Sequence, residues 1–96
     1  MTEPRIAPEA VIELERQYRF QWEPAQQSHV LLYPEGMIKL SGSAGEIMKC
    51  VDGKTTAAGI VEKLERAFPG NDLRKDVMEF LEVAHGRGWI RTKQAG

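Results

Sequence analysis

The spacing of hydrophobic and polar residues changes along this chain, from alternation in its first half to helical periodicity in its second. Over residues 17–23, aromatic and polar residues alternate, which predicts a half-buried β-strand. Two further β-prone runs, 29–33 and 37–40, are separated by the turn residues Pro34-Glu35-Gly36. Together these segments predict a small antiparallel meander of three strands.

The last of these strands, 37–40, precedes a region with only helical patterns. It is therefore expected to have no partner on one side. An unpaired strand edge is either an aggregation hazard or a docking site for another extended chain.

Three helices are predicted after the meander, each with apolar residues at helical spacing. Ser43 and Glu46 predict a capping box at the start of the first helix, and Gly53 predicts its end. The caps predicted for the second and third helices are Thr55 or Thr56, and Asn71 or Asp72. The predicted core-facing residues are Ala44, Ile47 and Val51, then Ile60, Leu64 and Ala67, then Leu73, Val77, Phe80, Leu81 and Ala84.

The 96 residues predict one domain of the α+β class, winged-helix-like, with a three-stranded antiparallel sheet followed by three helices. Residues 1–9 are expected to form a mobile arm, 10–92 the domain, and 93–96 a tail. Val11-Ile12 is expected to pack or to begin a strand. Trp89-Ile90 is expected to form a short extended segment or a packed tail.

Composition and charge narrow the classes of function. The net charge is −1, which gives no global attraction to nucleic acid or to an anionic membrane. No apolar run is long enough to cross a bilayer, and no signal peptide is evident. Cys50 is the only cysteine, so a reducing, cytoplasmic setting is expected.

Residues that could carry chemistry are few. His29 and His85 lack the neighbouring ligands that a metal site needs, and Cys50 has no base or positive field beside it in the sequence. The segment 41–45 lacks the pattern of a phosphate-binding loop. No metal, cofactor or catalytic activity is therefore expected.

A winged-helix-like fold suggests DNA binding by the third helix. That region carries the bases Arg74, Lys75 and Arg87 and the acids Asp72, Asp76, Glu79 and Glu82. An excess of acids repels phosphate, so the charge pattern argues against nucleic acid. A DNA-binding winged-helix regulator is the alternative hypothesis, and a module for an unrelated modifying enzyme is a third.

The third helix also carries a second stripe beside its core face, formed by Arg74, Met78, Leu81 and His85. Met78 and Leu81 either complete the core or, if exposed, line a groove opposite strand 37–40. An extended peptide could then add to that strand through main-chain hydrogen bonds and place its side chains against the helix. In this mode Ile38→Pro would weaken binding, provided that the Ile38 N–H points outward.

Several segments resemble the PqqD family, the small D protein of pyrroloquinoline quinone biosynthesis. They are Leu31-Leu32-Tyr33-Pro34-Glu35-Gly36, Val51-Asp52-Gly53 and Asp76-Val77-Met78-Glu79-Phe80-Leu81. With the segments between them, the resemblance covers about Arg5 to Ile90. Ser41 stands where many relatives have Asn, and both residues cap helices well.

The resemblance implies a non-catalytic peptide chaperone. Family members bind the short precursor peptide and present it to a radical S-adenosylmethionine enzyme, which joins a glutamate and a tyrosine of that peptide. The contact positions implied for this chain are Met37, Ile38, Lys39 and Leu40, with Arg74, Val77, Met78, Leu81 and His85. An open edge also permits a homodimer formed by strand exchange.

Overall fold

Five strands and three helices form two sheets and a helical layer in the computed structural model, which describes residues 6–94. The strands are β1 (Val11–Leu14), β2 (Arg19–Glu23), β3 (Ser28–Tyr33), β4 (Gly36–Lys39) and β5 (Ile90–Lys93). The helices are α1 (Gly42–Met48), α2 (Ala57–Ala67) and α3 (Arg74–Gly86). The predicted α+β class, with a three-stranded antiparallel sheet and three helices, is confirmed.

The predicted meander is a sheet of order β2-β3-β4. Phe20, Leu31 and Ile38 are opposite one another across the three strands, and Leu31 is fully buried. We call this the inner face because its residues belong to or contact the core shared with the helices. Side chains of the outer face alternate with them and include Met37 and Lys39.

A second sheet pairs the two ends of the domain. β1 and β5 run antiparallel, with Ile12 opposite Thr92. Glu13 bridges the pair by accepting hydrogen bonds from Arg91 and forming an ion pair with Lys93 at 3.0 Å. The segment 11–12 therefore begins one strand of this sheet and Ile90 begins the other, although their pairing spans almost the whole domain.

The caps of α1 differ from the prediction. Ser41, not Ser43, caps the helix, and its Oγ accepts a hydrogen bond from the Ala44 N–H at 3.1 Å. Glu46 forms an ion pair with Lys49 at 3.1 Å instead of closing a capping box. The helix ends at Met48, and Gly53 lies beyond it in a loop with a φ of 76°. The capping box and the predicted helix end were therefore wrong.

Local chemistry predicted α2 better than α3. Thr56 caps α2 as expected, accepting from the Gly59 N–H at 3.0 Å, but Ala67 is exposed. α3 begins after Leu73, which provides no side-chain cap. The Leu73 N–H donates to Glu65 Oε2 at 2.9 Å. Asp72, one of the two predicted caps, lies one residue before the capping position, but its Oδ1 accepts a hydrogen bond from the first N–H of the helix, that of Arg74, at 3.3 Å.

The segment before β1 docks onto α2 and α3. The carbonyls of Ala10 and Pro8 accept from the first two N–H groups of α2, at 2.9 and 2.8 Å. Such groups have no partner within a helix. Ile6 is 1% exposed, and its N–H donates to Glu82 at 3.0 Å. Residues 1–5 of the predicted arm lie outside the described residues, and the mobility of residues 6–9 stays a prediction.

The core lies between the inner face of the sheet and the three helices. Its fully buried side chains include Leu31, Met48, Ile60 and Leu81. Within residues 6–94, none of the helices combines the length and apolar character needed to cross a membrane.

Candidate functional site

The predicted edge strand, β4, is an outer strand of its sheet. The Leu40 N–H donates to the His29 carbonyl at 3.0 Å, which fixes the direction of every backbone group along β4. In antiparallel pairs, residues alternate between those bonded to the partner strand and those turned away from it. Ile38 is therefore bonded to Leu31, and the outward N–H and C=O groups belong to Met37 and Lys39.

Ile38→Pro was expected to weaken peptide binding only if the Ile38 N–H points outward, and this register does not meet that condition. The Ile38 N–H points toward β3, so proline at this position would break the sheet itself. The sequence contains the information needed to predict which residues of β4 are bonded to β3. Tyr33 pairs with Gly36 around a loop of two residues, and that loop length makes residues 36, 38 and 40 the bonded ones.

The side chains of β4 divide between the two faces. Met37 is 44% exposed and Lys39 is exposed, both on the outer face. Ile38 is half-buried and Leu40 is buried, both on the inner face. A chain paired with β4 would thus meet one cation and one flexible apolar side chain on the outer face.

The predicted contacts on α3 occupy different environments. Arg74 is exposed at the start of the helix, and Met78 and His85 are half-buried. Val77 and Leu81 are core residues, with exposed fractions of 3% and 0%. The structure therefore places Leu81 beneath the surface, where it supports the helix.

An apolar groove of about 640 Å³ begins directly after β4. It lies between the start of α1, the end of α2 and the first half of α3. Its lining residues are Ser41, Gly42, Ser43, Ala44, Glu46, Ile47, Leu64, Phe68, Asn71, Leu73, Asp76, Val77 and Phe80. The groove shares only Val77 with the predicted contact positions.

Phe68 is a groove residue that was not among the predicted contact positions. It is 45% exposed although it lies in an apolar wall. The charged residues of the lining, Glu46 and Asp76, are both acidic, and Glu46 is paired with Lys49. The groove therefore favours apolar side chains, and its rim does not attract additional carboxylates.

Cys50 and one of the two histidines, His29, lie in packed surroundings. Burial raises the pKa of the Cys50 thiol, which lowers its nucleophilicity at neutral pH. The His29 ring stacks on Phe20 at 5.0 Å and packs edge-on against Trp22 at 5.0 Å. In the part of the chain that the structure describes, no three His, Cys, Asp or Glu side chains are grouped as metal ligands.

Comparison with known proteins identifies the family. The family described as Coenzyme PQQ synthesis protein D (PqqD) matches residues 28–90. The chain belongs to the PqqD family. The resemblance inferred from the sequence is thereby confirmed.

Two relatives in the PqqD family are named PqqA binding protein. The one from Azotobacter vinelandii (strain DJ / ATCC BAA-1303) is 57% identical over 79 residues, covering 81% of this chain and 86% of that protein. The one from Methylococcus capsulatus (strain ATCC 33009 / NCIMB 11132 / Bath) is 45% identical over 86 residues, covering 90% of this chain and 92% of that protein.

A solved structure shares the fold of this PqqD family member. It is the solution NMR structure of the PqqD truncation of Methylobacterium extorquens PqqCD, described as a functional and stand-alone RiPP recognition element. The TM-score is 0.74 at 23% identity, with 92% of this chain and 96% of that chain covered. The match shows the fold alone, and the contact residues on β4 and α3 stay a prediction.

Proposed function

We propose that this protein binds the precursor peptide PqqA along the open edge of β4 and presents it to the radical S-adenosylmethionine enzyme that joins its glutamate and tyrosine. The protein itself catalyses no step. The observation that carries the proposal is the open edge at Met37 and Lys39, in a chain whose relatives are named PqqA binding protein. The cytoplasm, where precursor peptides are made, is the proposed location.

Main-chain pairing is the proposed source of affinity. Met37 and Lys39 each offer one outward N–H and one outward C=O. An extended peptide pairs with these groups as an additional strand of the sheet. Each hydrogen bond contributes about 1 kcal/mol, so the edge alone gives modest affinity with little sequence preference.

Side chains beside the edge are the proposed source of selectivity. In an antiparallel pair, opposite residues place their side chains on the same face. A peptide carboxylate opposite Lys39 would therefore meet its ammonium group on the outer face. Arg74, exposed at the start of α3, is the second proposed cation for an acidic group.

The peptide residues beyond Lys39 are proposed to enter the apolar groove. The groove starts at Ser41, two positions after β4 ends, so a continuous extended chain passes from the edge into it. Apolar peptide side chains would pack there against Phe68, Val77 and Phe80. Met78 and His85 remain proposed contacts on the neighbouring flank of α3.

A proline substitution tests the backbone contribution. Met37→Pro removes an outward N–H, so the sheet keeps its internal bonds while the peptide loses one. We expect Met37→Pro to bind PqqA about fivefold to tenfold more weakly than Met37→Ala, which keeps the N–H. Isothermal titration calorimetry measures the difference, and circular dichroism checks that both variants fold.

Equal affinity of folded Met37→Pro and Met37→Ala would count against pairing at β4. Ile38→Pro is the matched internal control, because its N–H points into the sheet, and it is expected to lose structure. The strand-exchanged homodimer remains a competing occupant of the same edge. It would make the apparent affinity fall as protein concentration rises.

A further inference from the structure

The sheet has a second open edge at β2, on the side opposite β4. His29, Leu31 and Tyr33 direct their backbone groups toward β4, so the alternate residues of β3 bond to β2. Val30 is thereby bonded to Gln21, and the groups of Phe20 and Trp22 point outward. Within residues 6–94, no backbone or side-chain hydrogen bond reaches these outward groups.

The aromatic side chain beside this edge is exposed and held in place. Trp22 is 50% exposed, and its ring packs edge-on against His29 at 5.0 Å. His29 is fixed in turn by its stack on Phe20 and by α1, where a Cβ atom on Gly45 would lie 2.9 Å from its Nδ1. Exposed, pre-positioned tryptophan is typical of the energetic centre of a protein interface.

A cationic cleft adjoins the first residue of β2. It has a volume of about 300 Å³, and its lining residues are Arg16, Gln17, Tyr18, Arg19, Leu32, Tyr33 and Pro34. The rings of Tyr18 and Tyr33 pack at 5.6 Å and form one wall. In the described part of the chain, neither Arg16 nor Arg19 has a carboxylate within 4.0 Å.

From this juxtaposition we infer that the β2 edge and the Arg16/Arg19 cleft bind an extended acidic segment of a partner protein. The backbone groups of Phe20 and Trp22 pair with the segment as an added strand, and Trp22 covers its apolar side chains. Arg16 and Arg19 bind its carboxylates, since the guanidinium fork matches a carboxylate in two parallel hydrogen bonds.

The two edges can be occupied at the same time. Strands in a sheet lie about 4.8 Å apart, so a chain on β2 and a chain on β4 would be separated by about 19 Å, with the whole sheet between them. The protein would then act as an adaptor that holds a peptide on one edge and a partner on the other.

A titration with a blocked six-residue peptide of alternating glutamate and valine tests this site on the intact protein. Two-dimensional NMR is expected to show the largest shifts at the Phe20 and Trp22 amides. The double variant Arg16→Glu with Arg19→Glu is expected to weaken binding at least about tenfold, because two attractive charges become repulsive. Lys75→Glu, an exposed change on α3, is the matched control and should leave the affinity within about twofold.

The inference would be overturned by shifts centred on Met37 and Lys39, by unchanged affinity in the double variant, or by the absence of saturable shifts at the β2 amides. Competition between this peptide and PqqA would do so as well, because it would place both on one edge. None of these results would contradict PqqA binding at β4, which the Met37→Pro test decides, so the two proposals fail separately.

Discussion

β4 and β2 are the two outer strands of one sheet, and each turns the backbone groups of two residues outward. At β4 these residues are Met37 and Lys39, whose side chains lie on the outer face. At β2 they are Phe20 and Trp22, whose side chains lie on the inner face beside the helices. The register of the sheet, rather than composition alone, therefore decides which face a docked strand uses for recognition.

The surfaces beside β4 and β2 also differ. β4 leads into an apolar groove whose charged lining residues are acidic, whereas β2 begins beside a cleft with two arginines. An open edge supplies hydrogen bonds that any extended chain can use, so the side chains beside it must provide selectivity. On this basis the two edges of one small domain are suited to different partners.

The largest expected effect comes from adding one methyl group at Gly45, where α1 packs on His29 of the central strand, β3. A Cβ on Gly45 would lie 2.9 Å from the His29 ring and 3.2 Å from its Cβ, so α1 or the ring must move. We expect Gly45→Ala to lower the free energy of unfolding by about 1–3 kcal/mol. Denaturant unfolding followed by circular dichroism measures this change.

The matched control is Gly42→Ala in the same helix, where the added Cβ meets nothing within 4 Å. It should be neutral or slightly stabilising, since alanine favours helix more than glycine. Because His29 supports Trp22, Gly45→Ala should also disturb the β2 edge more than β4. Equal stability of the two alanine variants would contradict the close packing of α1 on the sheet.

Phe68→Ala sharpens the comparison at the groove. Phe68 is 45% exposed, so we expect its removal to cost less than about 1 kcal/mol of stability. If PqqA continues from β4 into the groove, the affinity for PqqA should fall about tenfold, as expected for an aromatic contact at the centre of an interface. Calorimetry with PqqA provides the measurement.

The acidic peptide proposed for β2 provides the counter-measurement for Phe68→Ala. Its affinity should stay within about twofold, because Phe68 lies in the groove and not in the Arg16/Arg19 cleft. Equal losses for both peptides would mean that the two edges are not independent. An unchanged affinity for PqqA would remove the groove from its binding path.

The sequence predicted features whose causes are local. The turn after Tyr33 and the cap at Thr56 depend on residues within a few positions, and both segments folded as expected. Ser41 and Ser43 were harder to separate because both hydroxyls lie at the start of the same helix, with 3.4 Å between their Oγ atoms. Local pattern alone does not decide between two such candidates.

Contacts that join distant segments of the chain were not predicted. Glu65 satisfies the start of α3 from the preceding helix, and β5 is a strand because β1 lies beside it. The candidate site also combines a feature that the sequence predicts with one that depends on distant contacts. The open edge at β4 followed from element order, whereas the groove around Phe68 required knowing how three helices meet.

The smallest expected effect concerns the β1–β5 sheet, away from both edges. Hydrogen bonds from Lys93 and Arg91 hold the pKa of Glu13 below its ordinary value of 4.5. A depressed pKa means that the carboxylate's contribution to stability is present above pH 4.5 and is lost as pH falls through the lower folded-state pKa. Unfolding midpoints measured from pH 6 downward should therefore decline in this acid range, less steeply in Glu13→Gln. If pairing of the chain ends is independent of the two docking edges, Glu13→Gln at neutral pH will lower stability without altering their relative affinities, whereas a change of relative affinity would show that the two sheets are coupled.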